Sequence, residues 1–180
     1  MIQRGLLVLG ISFLFSCSEV KEISLESFTA EGDVFESGKG LMSLGYGLHP
    51  LEEVSQSQKT LLIGVHGSAS RGYEWVYPLQ ILDNPETLTS FFRWNDKNCP
   101  GPSYSRLKSS IDSMLETNPS LTEVVIIGHS YGALLVSMFL SEWTNDAPLS
   151  VHTIAGPLAG IASINSLCSY SPPSSINNNV

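Results

Sequence analysis

The chemistry in this chain starts at Gly128-His129-Ser130-Tyr131-Gly132, inside the stretch "VVIIGHSYGALLVSMFL" (124–140). A serine hydroxyl becomes a nucleophile when a base takes its proton, an acid orients that base, and N–H donors await the oxyanion. Gly-x-Ser-x-Gly alone is a weak signal in a chain with 15 glycines. Its context is stronger. A β-branched run enters Gly128 and an apolar helical run leaves Gly132. A strand-to-helix turn that tight leaves no room for side chains at either glycine. Upstream, "VHGSAS" (65–70) ends another apolar run with His66-Gly67-Ser68. The N–H of Tyr131 and an N–H from Gly67 or Ser68 would make a pair of oxyanion donors.

The elements that must position these groups alternate. "TLLIGVHG" (60–67), "TLTSFFRW" (87–94), "LTEVVIIG" (121–128) and "SVHTIAG" (150–156) read as strands, and "LMSLGYGL" (41–48) as a first strand. Tyr104, Leu107, Ile111, Met114 and Leu115 recur at helical spacing behind Pro102 and Ser103. Residues 132–143 read as a nearly all-apolar helix, with Ser137 and Ser141 on a narrow watered stripe. Apolar strands alternating with helices specify an α/β, three-layer, mostly parallel sheet. Residues 41–168 are assigned to this core and 17–40 to a polar tether. The segment "SYSPPSSINNNV" (169–180) is assigned to a disordered tail.

A His-Gly strand end, a helix, and a strand ending Gly-His-Ser-Tyr-Gly resemble the α/β-hydrolase superfamily, most of all its lipase and esterase branch. "TIAGPLAG" (153–160) is similar to the segment that leads toward the substrate cleft in lipase-like members. The resemblance covers roughly residues 41–165. It implies Ser130 as nucleophile, Tyr131 with Gly67 or Ser68 as oxyanion hole, and Gly128, His129 and Gly132 as the nucleophile elbow. It makes His66 and His129 neighbours of the site rather than its base. The substrate it implies is an ester or lipid-like small molecule, with no cofactor.

In that superfamily the acid and then the base follow the serine. After Ser130 stand only Glu142, Asp146 and His152. The helix after the elbow descends about 18 Å at 1.5 Å per residue. That sends Glu142, Asp146 and the start of the last strand to the far end of the sheet, with His152 near that end. A rearranged Ser130–His66–Asp96 set is the other geometry open to the sequence, and His49 has no assigned partner. The expectation is a hydrolase core lacking the C-terminal part that brings the acid and base, with the 150–156 strand left as an edge.

At the other end, Arg4 and the apolar run "GLLVLGISFLF" (5–15) read as a signal peptide (1–16), too short to span a bilayer comfortably. "LFSC" (14–17) resembles a bacterial lipobox. By that resemblance Cys17 is lipidated and tethers the chain to a membrane of the cell envelope, the outer one favoured because Ser18 and Glu19 follow it. Cys99 and Cys168 remain, as a disulfide in the oxidising compartment or as two separate thiols. A net charge of −8 without basic clusters argues against nucleic acid and anionic lipid surfaces. Four scattered histidines, with no HExxH and no phosphate-binding glycine loop, give no metal site. Two functions stay open: an exported serine esterase scaffold that is weak or inactive for want of a base, and a non-catalytic lipoprotein binding module.

Overall fold

Strand formation follows the β-branched and aromatic runs. The computed structural model describes residues 34–161 and 166–168. The signal peptide, Cys17 and the 169–180 tail lie outside the described residues. In chain order the elements are α1 (Val34–Ser43), β1 (Gly47–Pro50), β2 (Thr60–Val65), α2 (Tyr73–Leu82), β3 (Thr87–Arg93) and α3 (Pro100–Thr117). Then come β4 (Glu123–His129), α4 (Tyr131–Ser137), α5 (Phe139–Glu142) and β5 (Leu149–Ile154).

The five strands form one sheet in the order β1-β3-β2-β4-β5. All neighbours run parallel except β1, which is antiparallel to β3. The chain leaves β2 in one direction to reach β3, then crosses back over β2 to reach β4. That reversal puts the carboxyl ends of β2 and β4 at a topological switch point, where open α/β sheets hold their ligands. The fold is the α/β architecture read from the sequence.

Side-chain alternation decides what each face buries. Leu61, Ile63, Val65, Leu88, Phe92, Val124 and Ile126 share one core with Leu107 and Ile111 of α3 and Leu134 and Leu135 of α4. A smaller cluster joins Trp75 and Leu79 of α2 to Phe91, with Leu41 and Met42 of α1 packed on it. Gly64 makes this second layer thin: a Cβ there would lie 2.8 Å from the Trp75 ring. β4 carries apolar residues on both faces, yet Val125 and Ile127 are only half-buried. Beyond it β5 is an edge among the described residues, with Ile154 53% exposed.

Three local readings are corrected. The strand expected over 41–48 is the end of α1, a turn, and the short β1 at its far end. Residues 34–40, read as tether, are helical, because Gly38 lets α1 press onto α2; a Cβ there would lie 2.3 Å from the Tyr73 nitrogen. The single helix expected over 132–143 breaks at Met138 into α4 and α5. Ser137 is wholly buried rather than on a watered stripe, and its hydroxyl donates to the Leu134 carbonyl at 2.7 Å, a back-bond that bends helices.

Cys99 and Cys168 form a disulfide, with 5.3 Å between their Cα atoms and 69 residues of sequence separation. It fastens residues 166–168 to the start of α3.

Candidate active site

β4 delivers the chain to Ser130, and there the backbone turns sharply. Ser130 has φ 53° and ψ −120°, a conformation that costs a residue with a Cβ of order 1–3 kcal/mol. Two hydrogen bonds hold it. The Ser130 N–H donates to the Ile154 carbonyl at 2.8 Å, and the Ala133 N–H donates to the Ser130 carbonyl at 3.0 Å. α4 begins at the next residue.

The glycines around the turn are where backbones touch. A Cβ on Gly128 would lie 2.6 Å from Val136 Cγ2 and 2.7 Å from the Gly132 carbonyl oxygen. On Gly132 it would lie 2.4 Å from the His66 carbonyl oxygen, so this glycine joins the helix start to the end of β2. On Gly67 it would lie 2.9 Å from both Ser130 Cβ and the His129 carbonyl oxygen. The His66-Gly67 strand end and the serine turn are therefore in direct contact. Gly67 is buried and Ser68 exposed; the serine itself is half-buried.

The loop that carries Gly67 and Ser68 is fixed from two sides. His66 is fully buried between Phe91 and Trp94. Its Nδ1–H donates to the Gly67 carbonyl at 2.8 Å, while Nε2 accepts from the Trp94 N–H and from Arg93 Nη1, each at 3.2 Å. Burial lowers the His66 pKa, and the Arg93 guanidinium adds to this against the opposing Gly67 hydrogen bond and the Asp96 charge. The ring is a neutral strut with both nitrogens engaged. On the outer side, Asp96 Oδ2 accepts the Ala69 N–H at 2.7 Å, and Ala69 sits at φ 54°. Burial raises the Asp96 carboxyl. Hydrogen bonds from the Ala69 and Asp96 backbone, the nearby His66 and the Ser68 hydroxyl outweigh it and hold the group below the usual carboxylate range.

These bonds remove the rearranged Ser130–His66–Asp96 set. His66 spends its nitrogens on the Gly67 carbonyl, the Trp94 N–H and Arg93, and Asp96 spends its carboxylate on the 68–69 loop. The other three histidines fare no better. His49 Nε2 bonds to the Gly45 carbonyl at 2.7 Å. His129 Nδ1 is buried without a partner among the described residues. His152 lies nearer the carboxyl edge than the sequence reading put it, because the register pairs it with Ile127. Ser130 still lies three residue steps beyond Ile127, about 10 Å at 3.3 Å per residue. Among the described residues no imidazole or carboxylate hydrogen-bonds the Ser130 hydroxyl, and none forms a metal-binding group of three or more His, Cys, Asp or Glu.

Three positions escaped the sequence reading. Trp94 packs 5.0 Å from the Tyr131 ring, and its indole N–H donates to the His66 carbonyl at 2.8 Å. Arg93 donates to the Met42 and Trp94 carbonyls as well as to His66. Asn98 accepts the Tyr131 hydroxyl on its carbonyl at 3.0 Å. All three lie in or just after β3, and only their position at the same sheet edge as His66 hints at their part.

The family model described as Lecithin:cholesterol acyltransferase matches residues 84–170, a span that includes β3, β4, the serine turn, β5 and both bridged cysteines. No curated protein matches the chain.

Proposed function

We propose that this chain, whose fold and family-model match support the α/β-hydrolase superfamily, is an esterase or acyltransferase scaffold for ester-bearing, lipid-like substrates. Ser130 is its nucleophile. The N–H of Tyr131 and that of Gly67 or Ser68 stabilise the oxyanion, and Gly128, His129 and Gly132 shape the elbow. The observation that carries this reading is Ser130 held at φ 53° with Gly67 pressed against it, since backbone strain of this kind persists where a reacting group must stand clear of its turn.

In the acyl-enzyme route, Ser130 Oγ attacks the ester carbonyl, the oxyanion sits between the two N–H groups, and the alcohol leaves with a proton. That proton needs a carrier. None of the four histidines of this sequence is placed to be one, so acylation at neutral pH falls short by several orders of magnitude. This absence favours a second reading, a binding module that keeps the scaffold without turnover.

A fluorophosphonate probe tests the nucleophile: slow labelling of the unmutated chain, absent in Ser130→Ala, is expected. Equal labelling of both would end the assignment. Hydrolysis of a short-chain nitrophenyl ester is expected to stay near background. Robust turnover lost in Ser130→Ala would instead require a base within this sequence.

The export reading rests on the sequence around Cys17 and is supported by the Cys99–Cys168 bridge, a bond of oxidising compartments. It assigns lipid-anchored placement in a bacterial envelope. Labelled palmitate should enter the protein and be lost in Cys17→Ser; unlabelled soluble protein would contradict it.

A further inference from the structure

Between the end of β3 and the first turns of α3 lies a cavity of about 170 Å³. Arg93 and Arg106 reach it from two different elements, together with Asn95, Asn98 and Ser103. Tyr46 stands between the arginines: the Arg93 guanidinium lies 5.1 Å from its ring centroid, and Arg106 Nη1 donates to its carbonyl at 3.3 Å. No carboxylate lines the cavity. Among the described residues the two ion pairs are Lys39–Glu36 and Lys108–Asp112, so neither arginine has an acidic partner. Arg93 uses Nε and Nη1 on the Met42 and Trp94 carbonyls and His66, and Arg106 uses Nη1 alone. Each keeps an Nη2 group without a partner among the described residues.

The convergence is unusual for this chain. It holds 9 Lys and Arg against 17 Asp and Glu, yet two arginines line one cleft where no acid does. Two guanidinium groups sharing a small cleft repel each other unless an anion joins them. Every polar side chain in the lining can donate a hydrogen bond. The first turn of the 18-residue α3 also borders the cleft at Cys99, Pro102 and Ser103, and its positive end adds to the same field. Forked donors from two directions suit a tetrahedral oxyanion.

We propose that the Arg93–Arg106 cleft is a binding site for a phosphate monoester group, separate from the serine turn, with Trp94 of its lining packed against the Tyr131 ring. The proposal does not depend on Ser130 being a working nucleophile.

Titration of the full chain with inorganic phosphate, followed by amide shifts at Asn98 and Ser103, tests it. Saturable binding below about 10 mM is expected. Arg106→Gln, at an exposed position, should fold normally and weaken binding about tenfold. Arg106→Lys, which keeps the charge but loses the fork, should fall between. Ser130→Ala should bind as the unmutated chain does, which separates this result from any failure of the hydrolase reading. Glycerol phosphate against a short-chain phosphatidate then tells a free ester from a lipid headgroup: equal affinities point to the former, tighter phosphatidate binding to the latter. Absence of saturable phosphate binding, or equal binding by Arg106→Gln, would overturn the site.

Discussion

Ser130 carries a conformational cost that its neighbours absorb. Glycine adopts φ 53° freely, so Ser130→Gly is expected to stabilise the fold by about 1 kcal/mol while abolishing probe labelling. A denaturant midpoint that falls instead would mean that the serine side chain holds the turn. Gly132→Ala runs the other way. Its Cβ would meet the His66 carbonyl at 2.4 Å with backbone on both sides, and a loss of about 3 kcal/mol is expected in the same measurement. His66 supplies a pH dependence. Its folded pKa is depressed by burial, so the unfolded chain binds the proton first and stability rises with pH across that interval. The contribution is complete above the unfolded value of about 6.5 and is lost as pH falls through the folded one. Asp96, depressed as well, adds a second loss in more acidic solution. Thermal midpoints between pH 8 and 4 should therefore decline on acidification. His66→Asn should flatten the part nearest neutrality.

At the scale of elements, legibility tracked how local the cause was. β2, β3, β4 and β5 announce themselves through β-branched and aromatic runs, and their observed bounds lie within about two residues of the sequence reading. The serine turn was legible because Gly128 and Gly132 mark a boundary between two strong patterns. α1 was not, since Val34–Ser43 is an ordinary polar-apolar mixture that becomes a helix against α2. The decisive contact, Gly38 against Tyr73, joins residues 35 apart in sequence. Gly38→Ala should release that contact. Hydrogen exchange is expected to quicken across α1 and leave β2 and β4 protected; uniform loss of protection would mean that α1 is integral to the core. The fate of His66 was equally hidden. Spacing shows a histidine beside a glycine, but its engagement by Arg93 and the Trp94 N–H comes from a second segment, 27 and 28 residues further along the chain.

For the whole molecule, the bridge and the open edge pull on solubility and stability from opposite sides. Cys99–Cys168 closes a loop of 69 residues of separation, for which chain entropy gives about 4 kcal/mol. Reduction, or Cys99→Ser with Cys168→Ser, should lower the unfolding free energy by an amount of that order. β5 presents an unpaired edge among the described residues, with Ile154 half-exposed on it. Ile154→Lys is expected to suppress concentration-dependent light scattering without moving the thermal midpoint by more than a degree or two. Unchanged scattering would place the sticky surface elsewhere.

The hydrogen bond from the Ser130 N–H to the Ile154 carbonyl fixes where the chain goes after β5. Residues 155 and 156 emerge beside the serine, and Gly156 leaves so little space that a Cβ there would meet Ala133 Cβ at 2.4 Å. On the proposed hydrolase reading, these contacts belong to the electrophile-binding half of the site. That half is written into glycines and backbone amides, and a proton carrier can also be supplied from solution. Millimolar imidazole in the medium should then speed fluorophosphonate capture by the unmutated chain and leave Ser130→Ala untouched.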